Sequence, residues 1–157
     1  MRSAYLETTI VSYYRSRLSG DLVTRGKQLL TRRFWLHALE RYRIVISDVV
    51  IDEVTRGDAD ASQKRLEALV DFEVVQTDET ALRLAEKYTD LLELPKKSWN
   101  DAIHLSLACL NGIDFLVTWN CAHIANVELI EKIIDHNSRK KLHTPLIVTP
   151  DFFFGRR

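Results

Sequence analysis

Cysteine, glycine, proline and net charge are all scarce in this chain, and each shortage closes off a class of protein. Its 157 residues include two cysteines, five glycines and three prolines. Two cysteines, Cys109 and Cys121, cannot build a secreted disulfide scaffold, so reduced thiols in a reducing compartment are expected. No apolar stretch of a signal peptide follows Met1-Arg2-Ser3-Ala4. No apolar run approaches the roughly 18 residues that a membrane helix needs, since even 44–51 is broken by Ser47-Asp48. A cytoplasmic protein without a membrane span is therefore expected. The glycines, at positions 20, 26, 57, 112 and 155, are too scattered for a G-x-G-x-x-G dinucleotide loop or a G-x-x-x-x-G-K-[ST] phosphate loop. No repeat, low-complexity tract or Pro/Gly/Ser linker divides the chain, and its length fits one domain over 1–157. Finally, 22 Lys and Arg against 22 Asp and Glu leave no net charge, which argues against a protein that holds nucleic acid by bulk positive charge.

What is present is more telling than the sum. Residues 1–50 carry nine basic and four acidic side chains, residues 51–100 seven and twelve, and residues 101–157 six and six. A basic first third and an acidic middle can form an acidic pocket beside a basic surface, or simply solvated helix faces. Short β-branched or aromatic runs at 4–6, 44–46, 72–75, 113–117 and 146–148 read as buried strands. Helical spacing fills the gaps. Thr24–Arg41 is basic and amphipathic; Asp48–Thr55 opens behind Ser47 and stops at Gly57. Apolar residues from Ala81 to Leu92 recur at helical spacing before Pro95, Ser98 opens a helix through Leu110, and Asn120 opens another to about Asp135. Strands separated by helices predict a three-layer α/β/α sandwich around a mostly parallel sheet of about five strands.

In such sheets ligands bind beyond the carboxyl ends of the strands, so the residues there decide the chemistry. Glu7 follows the first strand, Glu53 lies one turn into the helix after the second, Asp101 opens the helix before the fourth, and Asn120 follows the fourth. Each has an ordinary alternative. Glu7 and Glu53 read equally as an exposed turn or helix acid, and Asn120 as a helix cap. Ser98-Trp99-Asn100-Asp101 has the spacing of a capping box, which by itself accounts for Asp101. Taken together, four oxygen-bearing side chains at successive junctions point to Mg²⁺ or Mn²⁺. A zinc site from His104, Cys109, Cys121 and His123 lacks familiar ligand spacing. His104 shares the helical face of Asp101. No G-x-S-x-G elbow or Ser-His-Asp arrangement supports acyl chemistry. A phosphoacceptor receiver domain expects paired acids after the first strand, where Leu6-Glu7-Thr8 offers one.

Four segments, in order, carry a family resemblance: Tyr-Leu-Glu-Thr-Thr-Ile-Val-Ser-Tyr-Tyr at 5–14, Ser-Asp-Val-Val-Ile-Asp-Glu-Val-Thr-Arg-Gly-Asp at 47–58, Asn-Asp-Ala-Ile-His-Leu-Ser-Leu-Ala at 100–108, and Asp-Phe-Leu-Val-Thr-Trp-Asn-Cys-Ala-His-Ile-Ala-Asn at 114–126. They resemble the PIN-domain ribonucleases, specifically the VapC-like toxins of toxin–antitoxin pairs. The resemblance implies a Mg²⁺- or Mn²⁺-dependent endoribonuclease whose catalytic positions are Glu7, Glu53, Asp101 and Asn120, the first three being metal ligands. Glu7 stands where Asp is usual and Asn120 where an acid is usual. That substitution leaves three negative charges in place of four and weakens a second metal. The same resemblance implies an RNA substrate, a homodimer and a cognate antitoxin. Arg15, Arg17, Arg25, Lys27, Arg32 and Arg33 are candidates to guide the RNA backbone. The alternative, motivated by Asn120, is a catalytically impaired PIN domain that binds RNA or a protein partner without cleavage.

Overall fold

The computed structural model describes residues 1–154. Five strands form one parallel sheet: β1 (Ser3–Leu6), β2 (Arg43–Ser47), β3 (Glu73–Val75), β4 (Phe115–Val117) and β5 (Leu146–Val148). Their order is β3-β2-β1-β4-β5. The chain moves outward from β1 through β2 to β3, then crosses back to lay β4 on the other side of β1. That reversal opens a crevice at the carboxyl ends of β1 and β4.

All four residues of β1 and all three of β4 are buried. Successive strand residues point to opposite faces, so a strand buried at every position needs a layer of helices on each side. Seven α-helices among the described residues supply them: α1 (Thr8–Arg15), α2 (Leu22–Arg41), α3 (Asp48–Val54), α4 (Ala59–Glu67), α5 (Glu79–Leu91), α6 (Trp99–Leu110) and α7 (Val127–Lys140). Helices α1 and α2 pack together, as do α5 and α6. α6 carries eight consecutive buried residues from Ala102 to Cys109, which is why its sequence looks apolar all round. It ends at Asn111-Gly112, where Gly112 takes φ 60° to turn the chain toward β4.

The α/β sandwich and its five strands match the sequence reading. Helices α1 and α4 were not foreseen. The expected helix opening at Asn120 is corrected: residues 121–124 form a turn, and α7 starts at Val127 behind Asn126, whose side chain accepts from the Glu128 and Leu129 amides. Asn120 closes a separate loop instead, its carbonyl accepting from Ile124 and Ala125 and its Oδ1 from the His123 amide. These are the bonds of a helix N-cap, so Asn120 caps one turn that is not continued into a helix. No helix among the described residues is long and apolar enough to cross a membrane.

Candidate active site

Glu7 leaves β1 and caps α1, its Oε2 accepting from the Thr9 amide at 3.1 Å, the Thr9 hydroxyl at 2.5 Å and the Thr118 hydroxyl at 2.8 Å. The residue is only 4% exposed. A carboxylate that deep would be costly without donors, and these three supply them. Thr118, at the end of β4, also accepts from the Asn120 amide, while the Thr9 hydroxyl accepts from the Trp119 amide. Two threonines thus lock the ends of β1 and β4 around one carboxylate.

Glu53 arrives from α3. Its Oε1 accepts from the Thr8 hydroxyl and from His104 Nε2, both at 2.8 Å. The other ring nitrogen of His104, Nδ1, lies 2.7 Å from the Tyr5 hydroxyl, which lies 2.7 Å from Ser47 Oγ. Ser47 in turn caps α3 by accepting from the Val50 amide. A buried relay of Ser47, Tyr5, His104 and Glu53 therefore runs beneath the crevice, through β2, β1, α6 and α3.

Charge follows from this geometry. Burial opposes ionisation of Glu53, but the hydrogen bonds from His104, Thr8 and Asn100 and the His104 charge bring its carboxyl below the ordinary value. Burial opposes a charge on His104 as well. The Glu53 hydrogen bond and the fields of Glu7, Glu53 and Asp101 outweigh it and raise the imidazole. One ring therefore senses three carboxylates from three junctions. Among the described residues no Lys or Arg pairs with any of them.

Asp101 stands in the first turn of α6 but does not cap it, and Ser98 makes no capping bond. Instead Ser98 Oγ and Asp101 Oδ2 both face His123 Nδ1, at 3.0 and 3.3 Å. The capping-box explanation of Asp101 fails, because Ser98 is turned toward a histidine from the β4–α7 loop. Asn120 sits at the rim with its side-chain oxygen engaged by the His123 amide. The zinc alternative has no geometric support: Cys109 is buried against Asn137, Cys121 is exposed, and both His104 nitrogens are engaged.

Among the described residues, no three His, Cys, Asp or Glu side chains stand close enough to form a ready metal cage. The donor set still suits a hard cation. Mg²⁺ demands oxygen ligands, keeps several waters and commonly takes only one or two carboxylates directly. Three carboxylates with no Lys or Arg partner provide that environment. Asp101, Glu7 and Glu53 are the residues that could hold such an ion.

The basic candidates are spread apart. Arg15 donates to the Lys64 carbonyl of α4, Arg32 to the Ser16 carbonyl, and Arg33 lies over the Phe154 ring. Arg17 and Arg25 are exposed. Only Lys27 reaches the site's edge, 5.5 Å from the centre of the Trp119 ring. Sequence reasoning missed Tyr5, Ser47, Thr8, Thr9 and Thr118. The hydroxyls flanking the acid in Leu-Glu-Thr-Thr, and the one in Val-Thr-Trp-Asn, were the available signal.

A doubly wound α/β domain with an acidic crevice at its switch point is thus the class that fold and site define. The chain belongs to the PIN-domain family, whose model matches residues 21–120 and so takes in Glu53, Asp101 and Asn120. Its fold is that of VapC toxins. The crystal structure of Mycobacterium tuberculosis VapC20, a sarcin-ricin loop cleaving toxin, superposes with a TM-score of 0.62 at 15% identity, covering 77% of this chain and 92% of that one. VapBC2 from Rickettsia felis, bound to a DNA fragment from its promoter, gives 0.54 at 16% identity over 93% and 97%. No curated protein sequence matches the chain.

Proposed function

We propose that this protein is a metal-dependent endoribonuclease and the toxin of a toxin–antitoxin pair. The observation that carries the reading is the trio Glu7, Glu53 and Asp101, whose fields all reach His104 and which no Lys or Arg pairs with among the described residues. Membership of the PIN family supports nuclease chemistry. The VapC20 likeness favours RNA, and a looped RNA in particular, as the substrate class. The VapBC2 likeness favours an antitoxin partner.

A bound Mg²⁺ or Mn²⁺ would polarise the phosphate and acidify a water there. The chain's own part is to hold the acids. Thr9 and Thr118 fix Glu7, Thr8 and His104 fix Glu53, and His123 flanks Asp101. Hydrolysis adds a water oxygen to phosphorus and breaks the bond to the leaving ribose oxygen. One carboxylate of the trio takes the proton released by the attacking water.

The test is cleavage of a stem–loop RNA with Mn²⁺, with and without chelator, beside Asp101→Asn. Cleavage by the parent alone, lost with chelator and in the variant, supports the reading; cleavage surviving both refutes this site. A second reading, an impaired PIN domain that binds without cutting, is favoured by Asn120, whose side-chain oxygen is spent on the His123 amide. Under that reading the parent is silent and Asn120→Asp restores cleavage.

A further inference from the structure

We propose that Trp119, with Tyr13 and Lys27 beside it, forms a stacking shelf for an unpaired RNA base next to the phosphate that is cut. This specificity surface rests on the ribonuclease reading above. Trp119 is half-buried in the β4–α7 loop, one residue from Thr118 and one from Asn120. Two hydrogen bonds fix it: its amide donates to the Thr9 hydroxyl at 2.9 Å, and its Nε1 donates to the Thr31 hydroxyl of α2 at 2.7 Å. The same Thr9 hydroxyl donates to Glu7 Oε2. One oxygen therefore sets the backbone that carries the indole and the carboxylate beside it, so the ring and the acidic crevice hold a fixed relation.

The ring's neighbours suit a nucleotide. Tyr13 of α1 lies 6.5 Å away between ring centres and tilted by 49°, and the Lys27 ammonium lies 5.5 Å from the indole centre. An aromatic surface paired with a flexible cation is how single strands are held without sequence-reading hydrogen bonds. The base stacks and the cation meets the backbone. The arrangement also answers an electrostatic difficulty: three carboxylates with no Lys or Arg partner repel RNA, and stacking is an attraction that this repulsion does not cancel. A double-stranded region cannot offer a free base face, so the shelf selects loops and single strands. The indole packs against the core with part of its surface in solvent and the Lys27 cation over its ring, so it is both anchored and reachable.

The experiment measures binding, not cleavage. Fluorescence anisotropy of a labelled loop-forming oligoribonucleotide is followed with the Asp101→Asn protein in the absence of divalent metal. It is repeated with Trp119→Leu and Trp119→Phe added, and with oligonucleotides in which single loop bases are replaced by abasic riboses. Trp119→Leu is expected to weaken binding roughly five- to a hundredfold, with Trp119→Phe close to the parent. One abasic position should weaken parent binding by a similar factor while leaving the Trp119→Leu protein nearly indifferent. That coupling separates stacking from a structural role, because a merely loosened loop weakens every oligonucleotide alike. Thermal melting checks that the variants fold, and Lys27→Met, which removes the charge over the indole and keeps an unbranched apolar chain, should weaken binding more at low salt than at high. Binding by the parent with no dependence on Trp119, or an equal loss at every abasic position, overturns the shelf and leaves the nuclease reading standing. A parent that holds no RNA also overturns the shelf, and cleavage of the same RNA with Mn²⁺ by the unsubstituted protein separately decides the nuclease reading.

Discussion

Tyr5→Phe removes one oxygen from the centre of the buried relay, and its cost can be worked out from the bonds it makes. Tyr5 is fully buried on β1, and its hydroxyl lies 2.7 Å from both Ser47 Oγ and His104 Nδ1. Ser47 keeps the Val50 amide as a partner, so its loss is one ordinary hydrogen bond, about 0.5–1.5 kcal/mol. His104 is 0% exposed, and no other group is placed to meet Nδ1; a buried polar atom stripped of its partner costs about 1–3 kcal/mol. The two together predict a destabilisation of about 1.5–4.5 kcal/mol, a sizeable share of the roughly 5–15 kcal/mol that folded domains have. Urea denaturation is the assay: the midpoint should fall with little change in slope, because no extra surface is exposed in the native state. Repeating the substitution in a His104→Phe background completes a double-mutant cycle. There the hydroxyl has lost its histidine partner, so deleting it should cost appreciably less. A loss below about 0.5 kcal/mol, or an equal loss in both backgrounds, would refute the relay as the element that holds His104 under the site.

Further expectations concern pH, Thr118 and Asn120. His104 is raised above its ordinary 6.5, so its contribution to stability is complete below that pH and is lost as pH rises through the raised value. Glu53 is lowered from 4.5, so its contribution is complete above that pH and is lost as pH falls through the lowered value. The pair therefore supports the fold most between the two ordinary values, and denaturation midpoints should decline on either side of that window in the parent but flatten on the alkaline side in His104→Phe. Thr118→Val removes a donor to Glu7 and the acceptor of the Asn120 amide; melting should register about 1–3 kcal/mol of lost stability. Thr118→Ser restores both bonds and should recover most of it. Asn120→Asp keeps an oxygen for the His123 amide while adding a negative charge, so titration calorimetry should find Mn²⁺ bound more tightly than in the parent.

The architecture was legible because strand and helix periodicities are local properties. The runs at 44–46 and 146–148 lie inside observed strands, and the apolar α6 announced its own burial. Asn120 does bond as a helix cap, but the turn it opens stops before Asn126, which caps α7 in its place, and local sequence does not separate the two caps. Asp101 shows the opposite case. Its capping-box spacing is genuine, yet Ser98 turned to His123, a partner 25 residues along the chain.

By itself, then, the sequence determined the alternation of strand and helix, the scarcity of net charge, and the acids standing at the junctions, because those depend on residue type and spacing. It could also list a basic first third. Only the tertiary structure decided that Glu7 is held by Thr118 from 111 residues away, that Glu53 meets His104 from 51, and that Lys27 alone of six basic candidates lies against Trp119. The reason is physical: a parallel sheet brings strand ends together through long crossovers, so the partners that tune a carboxylate are distant in sequence and carry no local periodicity. Charge neutrality, which first argued against nucleic acid, dissolves at this level. The protein is neutral as a sum and locally polarised, with acids that no Lys or Arg pairs with in one crevice and a cation on an aromatic ring at its edge.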